Sequence, residues 1–139
     1  MKAAPVLVLI VAIFSLANTA AAQQPTGSKR AANPLEIMKS SVIPASNVVF
    51  KVGENAPKSD QEWVTVQESV TKLTGAAKLL LMQAPSTDNA NWLKYSKAMS
   101  DAAESVGKAA QAKNVDAVLD AGEALYSTCE GCHRQYMKK

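Results

Sequence analysis

Residues 115–136 read VDAVLDAGEALYSTCEGCHRQY, a stretch without proline in which apolar and small residues recur every three or four positions. The members of this stripe are Val115, Val118, Gly122, Leu125, Cys129 and Cys132. Spacings of three and four residues place side chains on one face of an α-helix. The stretch therefore predicts a long helix, with Asn114 as its N-cap, whose buried face continues into two cysteines.

Those cysteines belong to the segment Cys129-Glu130-Gly131-Cys132-His133, which contains every cysteine and histidine of the 139-residue chain. Cys-x-x-Cys-His is the pattern of covalent haem attachment. Each thiol adds to one porphyrin vinyl group, and the histidine binds the iron axially. Because positions i, i+3 and i+4 share a helix face, Cys129 and Cys132 are the predicted thioether residues and His133 the predicted axial ligand. The haem is expected to enter the protein interior.

Three other interpretations of the cysteine pair stay open on the sequence, although each has less support. A redox disulfide of the thioredoxin kind needs a βαβ context, and no alternation of strands and helices is apparent. A structural zinc site needs four nitrogen or sulfur ligands, whereas this chain offers three. A structural disulfide between residues three apart closes a loop too small to stabilise the fold much.

Residues 1–22 have the layout of a secretory signal peptide. Lys2 gives a basic start, residues 6–16 are predominantly apolar, and small residues precede Gln23. A membrane-spanning helix needs about 20 apolar residues, so cleavage after Ala22 is favoured over an uncleaved anchor. The predicted destination is a bacterial periplasm, which agrees with the haem motif, because haem is attached to such motifs outside the cytoplasm.

Cleavage would leave 117 of the 139 residues, which suits one domain with one core and no further membrane association. Residues 23–32 are rich in polar residues, proline and glycine and predict a disordered lead-in to a domain spanning residues 33–139. The formal net charge of +3 falls by one when Lys2 is removed, and two haem propionates would bring it close to zero. We therefore expect no nucleic-acid partner.

Three further amphipathic helices precede the last one. The first is predicted to begin after the N-cap Asn33, to be kinked or split near Pro44 and to end at Gly53. The second opens with a capping box in residues 59–62, and the third begins within residues 88–91. Four helices with short connections predict an all-α fold, an antiparallel up-down-up-down four-helix bundle. The expected inward faces are Leu35, Met38, Val42, Ala45 and Val49; Trp63, Val66, Val70, Leu73, Ala77 and Leu80; and Trp92, Tyr95, Met99, Ala102, Val106 and Ala110.

This combination of signal peptide, four amphipathic helices and a Cys-x-x-Cys-His motif on the last helix resembles the class II cytochromes c, the group that includes the cytochromes c′. Residues 125–136, LYSTCEGCHRQY, are very similar to the closing motif of that family, and the resemblance extends over residues 33–139. It implies one covalently bound haem c whose iron has His133 as its proximal ligand. In low-spin members a first-helix methionine binds the distal side. In the c′ type that side is empty or shielded by an apolar residue, and the iron binds nitric oxide or carbon monoxide.

Met38 is the candidate distal ligand. It lies about one turn from the start of the first helix, and His133 lies about one turn from the end of the last, so an antiparallel arrangement places them at similar heights. Met82, at the end of the second helix, is a weaker candidate. Met99 is expected about two turns too far along, and Met137 follows His133 on the same helix. Simple core packing is the other role open to Met38.

The resemblance implies a periplasmic monohaem cytochrome c that carries single electrons between transient redox protein partners, and family members are often homodimers. The alternative is a five-coordinate, cytochrome c′-like protein that binds nitric oxide or carbon monoxide. No enzyme activity and no catalytic residue are expected, because beyond His133 no histidine remains for acid–base work of the peroxidase kind. Trp92 and Tyr95 are expected near the haem, more as core aromatics than as propionate ligands.

Overall fold

The computed structural model describes residues 33–137, and this part of the chain is helical with no strand. The α-helices are α1 (Pro34–Ile37), α2 (Ile43–Phe50), α3 (Asp60–Leu81), α4 (Asn89–Gln111) and α5 (Val115–Tyr136). A π-helical turn, Met38–Val42, joins α1 to α2, and a 3-10 turn, Lys51–Gly53, follows α2. Residues 34–53 thus form one continuous helical segment, called the first rod. The predicted all-α class is confirmed, whereas the predicted signal peptide and lead-in lie outside the described residues.

None of the helices within residues 33–137 combines the length and the apolar character that crossing a membrane requires. The first rod, α3, α4 and α5 correspond to the four helices expected from the sequence. The first rod packs against α3, α4 packs against both α3 and α5, and the end of the first rod also contacts α5.

Side-chain caps define three helix starts at the residues that the sequence predicts. Asn33 Oδ1 accepts the N–H of Glu36 at 2.9 Å, and the Glu36 carboxylate accepts the N–H of Asn33 in return. Ser59 and Glu62 form a second reciprocal capping box at the start of α3. Asn114 accepts the N–H three residues on, at 3.0 Å, at the start of α5. Such caps each contribute about 0.5–2 kcal/mol to stability, so the helix starts are fixed locally.

The first rod contains the main departure from a regular helix. Ile43 donates its N–H to the carbonyl of Met38, five residues back rather than four. Pro44 follows at once, and it has no N–H to donate to the carbonyl of Ser40. The π-helical turn therefore absorbs the missing donor without ending the rod, so the kink or split expected at Pro44 takes the form of one widened turn.

The widened turn changes which residues of the first rod face inward. Val42 is buried, and so is Ile37, five residues earlier, at 2 % exposure. A regular helix would instead bring positions 38 and 35 onto the face of Val42. The prediction that Leu35 faces the core is wrong for this reason: Leu35 is 60 % exposed. Met38 is only half-buried and packs at the edge of the core.

One hydrophobic core lies between the helices. The predicted stripe of α3 is confirmed, since all six of its members are buried. In α4 the prediction is confirmed for Met99, Val106 and Ala110, which are buried, whereas Trp92, Tyr95 and Ala102 are half-buried. The buried face of α4 also includes Ser96, Ala103 and Ala109. Fully burying a large apolar side chain contributes about 1.5–3 kcal/mol, and the largest such side chains are Ile37, Leu73, Leu125, Val49, Val106 and Val118.

Polar contacts join the ends of neighbouring helices. The indole Nε1 of Trp92, near the start of α4, donates to the carbonyl of Leu80, near the end of α3, at 2.6 Å. After the end of α4, Lys113 adopts a left-handed φ of 51° and donates its Nζ to Asp60, the first residue of α3, at 2.7 Å. These contacts fix the level at which α3 and α4 lie against each other.

Candidate functional site

A hollow opens at the end of the molecule where α3 ends and α4 begins. Its empty volume is about 430 Å³ when the space of its open mouth is counted. The room for the centre of a water molecule is about 40 Å³. Residues from the first rod, α3, α4 and α5 border it. They are Met38, Val42, Leu80, Trp92, Tyr95, Ser96, Met99, Thr128, Cys129, Cys132 and His133. The walls are predominantly apolar, which is usual for sites that bury a small molecule or cofactor.

The Cys-x-x-Cys-His segment forms the α5 side of this hollow. Cys129 is half-buried and packs against the hydrophobic core, and Cys132, one turn later, is also half-buried. His133 is exposed and lies at the rim. The helix therefore brings the three predicted haem-binding residues to one opening, the cysteines deeper and the histidine nearer to solvent.

The two thiols are free, and their pKa values are raised. Burial raises the pKa of Cys129, and it also raises that of Cys132, with the neighbouring Cys129 adding to the effect. Redox-active Cys-x-x-Cys motifs have lowered thiol pKa values, so the shift here is opposite in direction. Among residues 33–137, no three His, Cys, Asp or Glu side chains form a group that could hold a metal ion.

Two methionines approach the hollow from the helices facing α5. Met38 comes from the π-helical turn of the first rod, beside Val42. Met99 of α4 is buried and also borders the hollow, although counting turns from the helix start placed it too far along. That count assumed straight helices starting at equal heights. Met82 is 71 % exposed, and both it and Met137 lie outside the lining.

Aromatic side chains form the α4 wall. Besides its hydrogen bond to Leu80, Trp92 packs edge-on against Tyr136 of α5, with ring centroids 5.0 Å apart. Tyr95 lies against the backbone of Gly131, within the Cys-x-x-Cys-His segment. A Cβ atom at position 131 would come within 2.8 Å of the Tyr95 ring. The glycine therefore allows α5 to approach α4 closely between the two cysteines, a requirement that the sequence pattern does not reveal.

A polar cluster lies beside this wall, where the last turn of α5 meets the start of α4. Tyr136 donates its hydroxyl to Asp88 Oδ2 at 2.7 Å, and the side-chain amide of Gln135 donates to the same oxygen. Asn91 donates to Asp88 Oδ1 at 3.1 Å. We call Asp88, Asn91, Gln135 and Tyr136 the Asp88 cluster. Burial, followed by the hydrogen bond to Asp88, raises the pKa of Tyr136 to about 12, so its hydroxyl stays a donor at neutral pH.

Basic residues near the site are exposed. Arg134 forms an ion pair with Glu130, one turn earlier on α5, at 3.6 Å, and both side chains are largely exposed. Exposed pairs of this kind contribute little to stability. Lys39 of the first rod is also exposed, and no arginine occurs between Arg30 and Arg134.

Comparison of the chain with known protein families, with characterised proteins and with solved structures gives no match.

Proposed function

We propose that this chain is a monohaem c-type cytochrome of the class II kind, which carries single electrons on one covalently attached haem. The observation that carries the proposal is the grouping of Cys129, Cys132, His133 and Met38 around one apolar hollow. The motif alone is a pattern of five residues. Its position at the border of the hollow, together with a methionine from another helical segment, is what a haem held inside a helical protein requires.

Each residue has a chemical role in this proposal. The S–H groups of Cys129 and Cys132 add across the two vinyl groups of the porphyrin and become thioethers. His133 of α5 and the sulfur of Met38 of the first rod would hold the iron. The haem, when bound, supplies an iron that accepts and returns one electron. The apolar side chains of the walls exclude water and keep the change of charge in a medium of low dielectric constant.

The donor atoms present suit this cofactor. Two free thiols one helical turn apart match two vinyl groups, and an imidazole with a thioether is a ligand pair found in electron-carrying cytochromes c. The exposed position of His133 at the rim leaves its ring free of the core before the haem is attached. The close contact of Gly131 with Tyr95 keeps the backbone between the cysteines against the α4 wall.

We also propose that the four helical segments form an antiparallel up-down-up-down bundle. The Trp92–Leu80 hydrogen bond joins the start of α4 to the end of α3. The Tyr136–Asp88 hydrogen bond joins the end of α5 to the residue before α4. At the end of the first rod, Gly53 lies against Leu119 near the start of α5. All three contacts pair the end of one helix with the start of another, and this pattern supports an antiparallel order.

The cellular setting belongs to the same proposal. Residues 1–22 would direct export to the periplasm and be removed there. Partner redox proteins would meet the cytochrome over a small, transient interface. A homodimer, common in class II cytochromes c, is part of the proposal.

A five-coordinate gas-binding protein is the second candidate, and the apolar lining of the hollow beside Met38 favours it. Met38 is half-buried at the edge of the core, since Ile37 occupies the inward position created by the π-helical turn. The apolar side chains of Val42, Leu80 and Met99 also border the hollow. If Met38 shields the iron without binding it, nitric oxide or carbon monoxide has access to an otherwise apolar distal side.

The test is expression together with the haem-attachment machinery, followed by mass spectrometry and optical spectroscopy. We expect a mass gain of one haem, lost when Cys129 and Cys132 are both replaced by alanine. We also expect a methionine–sulfur charge-transfer band near the red edge of the spectrum. Met38→Ala should abolish this band, while Met82→Ala and Met99→Ala should retain it.

The outcomes separate the candidates. A high-spin spectrum in both redox states, with ready binding of carbon monoxide by the unaltered protein, would replace the electron carrier with the gas binder. A band lost in Met99→Ala but kept in Met38→Ala would transfer the distal role to α4. A protein that gains no haem mass in the presence of the machinery would end both proposals.

A further inference from the structure

Asp88 occupies an N-cap position and does not cap. At the starts of α1, α3 and α5, the side chains of Asn33, Ser59 and Asn114 accept a backbone N–H of their own helix. Aspartate is an equally good capping residue, yet the Asp88 side chain accepts no N–H from the first turn of α4. Oδ1 instead accepts the side-chain amide of Asn91, and Oδ2 is directed at α5.

The contact joins Asp88 to the last turn of α5. Oδ2 receives the hydroxyl of Tyr136 at 2.7 Å and the amide of Gln135 at 2.5 Å. The backbone carbonyl of Asp88 lies 3.2 Å from the same hydroxyl and also accepts the N–H of Trp92. Hydrogen bonds to an ionised carboxylate are about twice as strong as neutral ones. The cluster is therefore a strong link between two helix ends that are far apart in sequence.

We propose that Asp88 is a positioning residue for His133: through Tyr136 and Gln135 it holds the last turn of α5, and thereby the imidazole, in place beside the hollow. This inference rests on the proposed function, since His133 needs a fixed position only as an iron ligand. Asp88 does not border the hollow, and its carboxylate bonds to Asn91, Gln135 and Tyr136 rather than to His133, so it would act only through the backbone of α5.

Helix geometry explains why this link bears on His133. The last backbone hydrogen bond of α5 runs from the N–H of Met137 to the carbonyl of His133, at 2.9 Å. Final turns of helices fray unless a tertiary contact holds them. Tyr136 lies between the two partners of this bond, and its ring is also packed against Trp92. Without the link to Asp88, opening of the last turn would release the His133 carbonyl and change the direction of its side chain.

Two conservative variants and one matched control test the proposal. Tyr136→Phe removes the hydroxyl but keeps the ring on Trp92, and Asp88→Asn removes the charge but keeps the shape. Asp101→Asn is the control, because Asp101 is also on α4 but its carboxylate is paired with Lys97 on the exposed surface of that helix. The first readout is hydrogen exchange at the amide of Met137 in the protein without haem. The second is the reduction potential of the haem-loaded protein.

We expect the Met137 amide to exchange about tenfold faster in Tyr136→Phe and in Asp88→Asn, the ratio that loss of one or two hydrogen bonds produces. In Asp101→Asn the Met137 amide should exchange at the same rate as in the unaltered protein. In the loaded protein both cluster variants should shift the reduction potential in the same direction. Because Tyr136→Phe retains the charge of Asp88, a shared shift reports the position of His133 rather than the loss of a charge.

Unchanged exchange at Met137 in both cluster variants would overturn the proposal. Faster exchange with an unaltered potential would also overturn it, because Asp88 would then stabilise the helix end without positioning the ligand. A chain that takes up no haem would refute the proposed function and, with it, the positioning role. The exchange measurement would still decide whether Asp88 holds the last turn of α5, so the two failures are distinguishable.

Discussion

Replacing Gly131 with alanine tests whether the Cys-x-x-Cys-His segment is packed as the structure describes. A Cβ atom at this position would lie 2.8 Å from Cε1, 3.4 Å from the hydroxyl and 3.5 Å from Cζ of Tyr95. The first of these distances is well inside van der Waals contact. Either the Tyr95 ring or the backbone of α5 must therefore move to accommodate the methyl group.

Two opposing effects set the magnitude. Alanine in a helix interior is favoured over glycine by about 1 kcal/mol. Inserting a methyl group into a packed interface usually costs about 1–3 kcal/mol. We therefore expect Gly131→Ala to leave the stability unchanged or to lower the free energy of unfolding by about 2 kcal/mol at most. Because the expected change in the free energy of unfolding is small, Gly131→Ala is best compared with the same substitution at a glycine that has open space around it.

Gly75 provides that comparison. It lies within α3, and a Cβ atom there would have no atom within 4 Å outside its own helix. Gly75→Ala should raise the free energy of unfolding by about 1 kcal/mol. Urea denaturation of the protein without haem, followed by circular dichroism, measures both variants. The two should differ by about 1–3 kcal/mol, and adding Tyr95→Ala to both should remove most of that difference.

The reasoning would be refuted if Gly131→Ala stabilised the protein as much as Gly75→Ala does. It would also be refuted if the difference between the two variants persisted in the Tyr95→Ala background, because the cost would then come from something other than the ring. A lowered haem uptake by Gly131→Ala at unchanged stability would mean that the Tyr95 ring moves into the hollow. That outcome agrees with the geometry and locates the cost at the site.

Leu73 is only 1 % exposed. Leu73→Ala should lower the free energy of unfolding by about 2–5 kcal/mol, because it leaves a cavity in the core. Leu79→Ala, at a 41 % exposed position of the same helix, is the control and should cost well under half as much in urea denaturation; equal losses would contradict the assigned core. The N–H groups of Lys58 and Ser59 donate to the Glu62 carboxylate and lower its pKa. The folded-state pKa is depressed, so this contribution is present above the ordinary pKa and lost as the pH falls through the folded one. Glu62→Gln should therefore be less stable near neutral pH and equal to the unaltered protein in strong acid; a gap that does not narrow on acidification would exclude this cause.

The helix starts could be predicted from the sequence because capping is local. The side chain of an Asn, Ser or Asp before a helix can accept the free backbone N–H three residues later, within the first turn. Asn33, Ser59 and Asn114 behave as this rule states. Asp88 has the same local signal, yet its carboxylate bonds to α5. Sequence reasoning missed this because the competing partners, Gln135 and Tyr136, lie 47 and 48 residues away.

The border of the hollow could be predicted in part. Cys129, Cys132 and His133 share one helix face by spacing alone, so their common position follows from the helix period. To predict that Met99 borders the hollow, one must know the height of α4 relative to the other helices. That height depends on loop lengths and on contacts at the helix ends rather than on any pattern within α4. The close approach of Gly131 to Tyr95 likewise depends on the distance between two helices, and a glycine within a motif carries no signal of it.

The π-helical turn and the position of Met38 are two consequences of one local defect. Pro44 deprives the rod of a donor, the turn widens, and the added residue brings Ile37 into the core position that a regular helix would give to residue 38. Ile37 thereby takes over the packing role that Met38 would otherwise have. Met38 is left half-buried at the wall of the hollow, beside the motif on α5. A half-buried methionine at the edge of the core and of an apolar opening is placed to contact a group bound in that opening, and π-helical turns are frequent at functional sites. The turn therefore supports the proposed ligand role of Met38 better than a regular helix would, because in a regular helix core packing alone would account for a methionine at this position.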